Sequence, residues 1–378
     1  MIESYSYSSF DDALMKIDSL GGYGNPDKVV PLKGAAAHEV AVGPVHAGVI
    51  EPGHFRFQCM GEDVFNLQIF LGYQHRGVEE AIVKADGRIP RQIALAETCA
   101  GDTSVAAATA FAEIMEGAFP EKFASPDSNA LRARSLMLEL ERIANHVGDL
   151  GALAGDVAFL QSAAFCGRIR GEYLNMTAMI CGNRFGRNAI EPGAAAVTLD
   201  DALCGRLKEA VARVRPELDR ALKLMFHDHS VCDRFDGTGK VPGSLARDIG
   251  LVGVARRASE DFNGDVMARA LVRRVEINEA HEKILKILDG EALAAPPRER
   301  KAASKDGFAL VVSTVAAWRG PLVHAAMFSS GGKMLKYRIV DPSAHNWQAL
   351  AWAMRGEQIS NFPICNKSFN LSYCGTDR

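Results

Sequence analysis

Stretches of this chain repeat apolar residues at spacings of three and four over many helical turns: about Ser128 to Leu153, Gly155 to Cys181, Asp200 to Leu224 and Gly264 to Leu288. An amphipathic helix has to lay its apolar stripe against another element. The breaks between these stretches, Glu191-Pro192-Gly193 and Asp236-Gly237-Thr238-Gly239 among them, are short, which is what a bundle of neighbouring helices needs. Another helix is predicted to about Met115, with Asp102 or Thr103 as its N-cap, because either side chain can accept the free N–H groups of a first turn.

The flanks of the bundle read differently. Glu39 to Tyr73 carries alternating and β-branched residues with turn signals at Glu51-Pro52-Gly53 and Gly61-Glu62-Asp63, which predicts an antiparallel meander. Phe308 to Thr314 and Gly320 to Val340 return to strand, with Ser330-Gly331-Gly332-Lys333 as a hairpin turn. A last helix, about His345 to Gly356, is expected to precede an extended tail, and a short amphipathic piece is expected at Phe10 to Leu20. The fold class is α+β: mainly a helical bundle with small antiparallel sheets, an N-terminal extension over residues 1–38 and one domain over 39–378.

Composition narrows the function classes. With 378 residues, 48% apolar and 24% charged, the chain is long enough for a large core, and its longest apolar runs are broken well short of the roughly 20 residues a membrane span requires. Met1-Ile2-Glu3-Ser4 lacks the basic start and apolar run of a secretory leader, so the expected location is intracellular. A formal net charge of −3, with the basic stretch Pro296 to Lys305 reading as a solvated linker, gives no sign of nucleic-acid binding. Eight cysteines without one C-x-x-C pair read as buried free thiols rather than disulfides or structural zinc.

Two short segments carry more. His75-Arg76-Gly77-Val78-Glu79 is followed by Cys99-Ala100-Gly101-Asp102, and the chain ends in Ser372-Tyr373-Cys374-Gly375-Thr376-Asp377-Arg378. Between them stand Glu141-Arg142-Ile143 with His146, Cys181-Gly182-Asn183-Arg184, Gly264-Asp265-Val266 with Arg269, Arg319-Gly320, and Pro342-Ser343 with Asn346-Trp347. In this order they resemble the large subunit of [NiFe] hydrogenases, in particular the membrane-bound, complex I-related class and the 49 kDa-type subunit that forms part of the quinone site of complex I. Gly43-Pro44-Val45-His46 and Glu51-Pro52-Gly53-His54-Phe55-Arg56 strengthen the link to that class.

In that family four thiolates, a C-x-x-C pair from each end, hold nickel and iron. Cys99 matches the first ligand, Asp102 the second, Ser372 the third and Gly375 the fourth, so one thiolate of four remains. Asp and Ser are hard donors and Gly has no side chain, so no metal is expected. Asp102 has a plain alternative as the helix N-cap. The resemblance implies Glu79 as a proton relay or else a partner for Arg76 or another buried cation, and Arg319 as a pocket charge or a core ion-pair partner. It implies His46 or His54 as a quinone contact, against hairpin packing or a partner interface. It further implies an iron–sulfur small subunit that carries the cluster, antiporter-like membrane subunits, and a peripheral place on the inner face of the cell membrane. The activity implied is electron transfer from NAD(P)H or ferredoxin toward a quinone or another acceptor, with a non-catalytic scaffold or a hydrogenase with an atypical metal site as alternatives.

Overall fold

The computed structural model describes residues 37–46, 49–291, 302–303 and 309–378. The expected Phe10 to Leu20 helix and most of the linker at 296–305 lie outside these residues.

Three antiparallel strands, β1 (Ala37–Val42), β2 (His54–Met60) and β3 (Asp63–Phe70), form the meander in the order β1-β2-β3. Phe57 lies opposite Leu67 and Phe55 opposite Ile69. The alternation sends Phe55, Phe57 and Leu67 into the core. Helices α1 (Val78–Lys84), α2 (Ile89–Glu97) and α3 (Ser104–Ala118) follow. The long helices are α4 (Ser128–Asp156), α5 (Leu160–Cys181), α6 (Asp201–Phe226) and, after the short α7 (His229–Phe235), α8 (Gly243–Asp248) and α9 (Gly253–Asp261), α10 (Val266–Leu288). Each predicted long helix is present within a few residues. Asp127, Asp200 and Asp265 cap α4, α6 and α10, accepting from Ala130 N at 2.7 Å, Leu203 N at 2.7 Å and Ala268 N at 2.8 Å.

Helix α3 is the middle of the molecule. Its run Ser104-Val105-Ala106-Ala107-Ala108-Thr109-Ala110 is buried on every side, because small side chains let α4 and the second sheet approach it closely. After a two-residue antiparallel pair, β4 (Ile190–Glu191) with β5 (Ala194–Ala195), that sheet runs β6 (Ala302–Ala303), β7 (Ala309–Ala317), β8 (Gly320–Phe328) and β9 (Met334–Val340), all antiparallel. The chain then forms α11 (Ser343–Ala353), α12 (Phe362–Phe369) and α13 (Tyr373–Asp377). The tail is therefore helical and buried, not extended as expected. Phe362 packs on Phe55 and Phe57, each at a ring distance of 4.9 Å, and Tyr373 packs on Trp347 at 4.8 Å. These aromatic contacts seat the tail in the main core, which short, broken helical patterns do not announce in sequence.

Charged groups tie the bundle together. Arg273 on α10 reaches Asp149 on α4 at 2.8 Å, and Arg134 on α4 reaches Glu116 on α3 at 2.7 Å, all four side chains being buried. His146 and Glu276 meet at 2.8 Å between α4 and α10. No helix among the described residues is long and apolar enough to cross a membrane.

The turn Ala317-Trp318-Arg319-Gly320 between β7 and β8 is pressed against the start of α9. Gly253 has φ +57°, and a Cβ there would lie 1.9 Å from the Arg319 carbonyl oxygen. Gly253→Ala is expected to cost more than about 2 kcal/mol, since the backbone it meets has nowhere to go. Urea unfolding compared with Gly250→Ala, where φ is +69° but nothing lies within 4 Å, separates the close approach from the φ penalty.

Candidate functional site

The two signature segments, far apart in sequence, meet at one place. Arg76 does most of the joining. Its guanidinium donates to Thr98 O at 2.6 Å, to Cys99 O at 2.8 Å and to Cys374 O at 3.5 Å. From the other side Asp377 accepts Gly72 N at 2.7 Å and Gln74 N at 2.9 Å, and His75 Nδ1 lies 2.8 Å from the Asp377 carbonyl. These bonds set the Cys99–Asp102 turn beside the first turn of α13.

Asp102 does not cap α3, which corrects the N-cap expectation: neither it nor Thr103 makes a side-chain cap bond. Its carboxylate instead takes a two-pronged ion pair from Arg319, Nη1 to Oδ1 at 2.9 Å and Nη2 to Oδ2 at 2.7 Å. A full guanidinium charge in matched geometry outcompetes two neutral N–H donors. Burial would push the Asp102 carboxyl up, but Arg319 and the Thr103 hydroxyl more than offset it and hold it below the usual carboxylate range. Arg319 is fixed further by Asn370 O at 2.6 Å and lies flat over Trp318 at 3.9 Å.

The orphan donors of α3 are satisfied from another helix. Glu141 on α4 accepts Val105 N at 2.8 Å and Ala106 N at 3.3 Å. Burial pushes its carboxyl up to about 8, against the pull of those two N–H bonds, and Asp102 adds to the rise. Asn145, one turn along α4, donates to Asp102 O at 2.8 Å and to Glu141 O at 2.9 Å.

At the other segment, Ser372 has become a helix cap. Its Oγ accepts Gly375 N at 2.9 Å, so the first turn of α13 starts where a third ligand would stand. The fourth position is filled by a neighbour. A Cβ built on Gly375 would lie 2.6 Å from Asp341 Oδ2 and 2.7 Å from Ser372 Oγ. Asp341 is 2% exposed, and burial raises its carboxyl against the opposing pull of Arg319. Cys99 is equally enclosed, its thiol pushed up by burial and then by Asp341 and Cys374. The donor set does not fit nickel and iron: one thiol, a carboxylate already paired, a hydroxyl already used, and a glycine whose side-chain space is taken. Asp341 was missed in sequence and Glu141 was read only as part of the family pattern, because nothing in the spacing shows that Asp341 faces Gly375 or that Glu141 faces α3.

Glu79 sits beside this cluster with both oxygens engaged. Oε1 accepts Ile339 N at 2.8 Å and faces Arg378 Nε at 3.4 Å, while Oε2 is bound by Arg338. Its cations are thus Arg338 and Arg378, not Arg76. His54 is half-buried, with Nδ1 3.3 Å from Gly43 O and its ring 5.5 Å from Phe70. His46 is exposed in the β1–β2 connection, which ends where His54 begins β2. That connection covers the tail, since Glu51 accepts Cys374 N at 3.2 Å. Asp102 opens outward into a cleft of about 430 Å³ between α4 and α5, lined by Asn145, Asp149, Arg170 and Asn370 among small residues.

The family model described as the 49 Kd subunit of respiratory-chain NADH dehydrogenase matches residues 156–262. Hydrogenase-4 component G of Escherichia coli (strain K12) is 26% identical over 351 residues, covering 90% of this chain and 62% of that protein. NADH-quinone oxidoreductase subunit 4 of Thermus thermophilus is 25% identical over 372 residues, covering 84% of this chain and 88% of its own length. The chain is similar in sequence to these subunits over most of its length. It spans 62% of the length of the hydrogenase-4 component, less than the whole of that relative. The fold is shared with a chain of the membrane-bound sulfane sulfur reductase, an archaeal respiratory membrane complex, at a TM-score of 0.78 and 19% identity over 91% of this chain and 99% of that one.

Restoring the fourth thiolate alone is expected to fail. Gly375→Cys should lose about 1–3 kcal/mol in denaturant unfolding, because the new side chain enters occupied space, and should take up no nickel by elemental analysis. Glu141 generates a pH prediction. Its carboxyl holds a proton more tightly in the folded chain than in the unfolded one, so that stabilisation is complete below about 4.5 and is lost as pH rises through about 8. Glu141→Gln should flatten the fall of stability across that window by up to about 1.4 kcal/mol per pH unit, read from unfolding midpoints.

Proposed function

We propose that this chain is the large-subunit component of a membrane-associated, complex I-related oxidoreductase, taking part in electron transfer from NAD(P)H or ferredoxin toward a quinone or another acceptor without a nickel–iron centre. The observation that carries the reading is the pocket. Arg76, Asp377 and Ser372 bind the two segments together, while the cation at their middle is Arg319, held by Asp102 in the second ligand position and flanked by Asp341 beneath the fourth. A fixed guanidinium in a water-poor pocket favours negative charge arriving beside it. The β1–β2 connection with His46 and His54, lying over the tail, is the element proposed to meet a quinone head group.

The proposed partners are an iron–sulfur small subunit, which carries the cluster, and antiporter-like membrane subunits, with the chain peripheral on the inner face of the cell membrane. The mouth of the Asp102 cleft supports a seat for the small subunit. Arg170 lines the cleft, Arg184 and Phe185 line a small neighbouring pocket that Asp102 and Arg170 also border, neither arginine pairs with a carboxylate among the described residues, and Phe185 is 41% exposed. Such a rim complements an acidic surface with an apolar anchor.

A second reading is favoured by Glu79. A carboxylate clamped by Arg338, Arg378 and the Ile339 amide suits a structural tie better than a group that passes protons, and this favours a scaffold that only holds the peripheral arm on its base.

The test is purification of the tagged chain from its native membranes. An iron–sulfur subunit and antiporter-like proteins should come with it, and nickel should be far below one per chain. Arg170→Glu with Arg184→Glu should lower recovery of the iron–sulfur subunit about tenfold or more without moving the unfolding midpoint. Nickel near one per chain, lost on Cys99→Ser, would overturn the reading, as would a chain that purifies alone. Assembled complexes carrying Glu79→Gln or Arg319→Ala should lose quinone-dependent turnover; if they turn over like wild type, the scaffold reading holds.

A further inference from the structure

We propose that Cys99 and Cys374 are an oxidisable dithiol pair that closes to a disulfide between the Cys99–Asp102 turn and helix α13. All eight cysteines are free thiols. These two are the ones that the fold brings to the same pocket from opposite ends of the chain. One nitrogen, Arg76 Nη2, donates to the main-chain oxygens of both, at 2.8 Å to Cys99 and 3.5 Å to Cys374, so their backbones lie side by side. Cys374 Sγ is 3.5 Å from Ser372 Oγ, at the third of the old ligand positions, and Cys99 stands at the first. The Cys374 thiol also acts electrostatically on Cys99. By contrast Cys59 lies in β2, Cys166 in α5 and Cys365 in α12, each enclosed in the apolar core.

The exposures set an order of events. Cys374 is half-buried and Cys99 is 2% exposed, so a small oxidant meets Cys374 first. With a low-molecular-mass disulfide as oxidant, the Cys374 thiolate attacks one of its sulfurs, and the first external thiol leaves, carrying the bonding pair. Cys99, whose thiol burial keeps protonated, then attacks Cys374 Sγ as its proton passes to the leaving sulfur, and the second external thiol departs with the bonding pair. Two protein thiols are oxidised to one disulfide, one external disulfide is reduced to two thiols, and the protons lost by the cysteines are taken up by the leaving thiolates. The bridge would add a covalent tie between the two segments to the Arg76 hydrogen bonds, which reach main-chain oxygens. A thiol at position 374, one residue off the family ligand register, thereby gains a role that the metal frame does not give it.

The test uses the full chain and needs neither partner nor turnover, so it stands or falls apart from the proposed electron-transfer role. The protein is incubated with oxidised glutathione, unfolded, alkylated and digested without reductant. Mass spectrometry should find one peptide pair joined through Cys99 and Cys374, lighter by two hydrogens than the separate peptides, with Cys59, Cys166 and Cys365 alkylated. The thermal midpoint should rise relative to dithiothreitol-treated protein, and Cys374→Ser should abolish both the pair and the rise. Cys99→Ser should instead trap glutathione on Cys374; should that variant fail to fold, Cys374→Ser and the peptide map decide alone. A lasting glutathione adduct on Cys374 of the unsubstituted chain with Cys99 alkylated, or both thiols alkylated after incubation, overturns the proposal.

Discussion

The ion pair between Asp102 and Arg319 organises this molecule. It joins the turn before the central helix to the turn between two strands, and almost every neighbour of either residue is arranged around it. Trp318 lies under the guanidinium and donates to Asp102 O at 3.0 Å, Asn370 accepts from the guanidinium Nε, and Asp341 lowers the cost of burying a cation. The guanidinium is the desolvated member, 7% exposed against 34% for the Asp102 side chain, so the pair gains little net free energy while removing Asp102 leaves an uncompensated buried charge. The pair is therefore weak as a source of stability and strong as a constraint on geometry. It also explains why Glu141 caps α3: once Asp102 is committed to Arg319, the free N–H groups of that helix need an acceptor from elsewhere, and α4 supplies it.

The same logic accounts for the rest of the pocket. Family ligand positions converge because the backbone around them is bound to itself, through Arg76, Asp377 and the helix start at Ser372, and none of those bonds requires a metal. What fills the space between them is protein: the Ser372 hydroxyl turns inward as a cap, Asp341 occupies the volume beside Gly375, and Arg319 provides positive charge.

The bundle was legible because its helices are long and amphipathic, so a period of 3.6 persists over many residues, and because Asp127, Asp200 and Asp265 mark their starts. The meander was legible from alternation around Phe55 and Phe57. The short helices at 362–369 and 373–377 were not, since their apolar residues face an aromatic cluster drawn from β2 and α11 and so show no stripe of their own. For the pocket, the resemblance pointed to Cys99, Asp102, Ser372, Gly375 and Arg319, and the structure brings them together. It could not show that Asp102 prefers Arg319 to its own helix, that Glu141 reaches across from α4, or that Asp341 stands where Gly375 has no side chain. Each depends on a distance between residues far apart in the chain, on which local pattern is silent.

The clasp of Asp377 on Gly72 and Gln74 has a bearing on how the molecule is made. Its bonds span separations of 305 and 303 residues, among the longest contacts the chain has. Contacts of that order are slow to form, because the entropy of closing the loop is lost before any contact repays it. The bundle can gain its shape from neighbouring helices, whereas the pocket waits for distant strands of sequence to find one another. Until they do, the aromatic faces of β2 and α11 stay open. The region that gives the molecule its character is thus its last to mature and the one most dependent on assistance while it is unfinished.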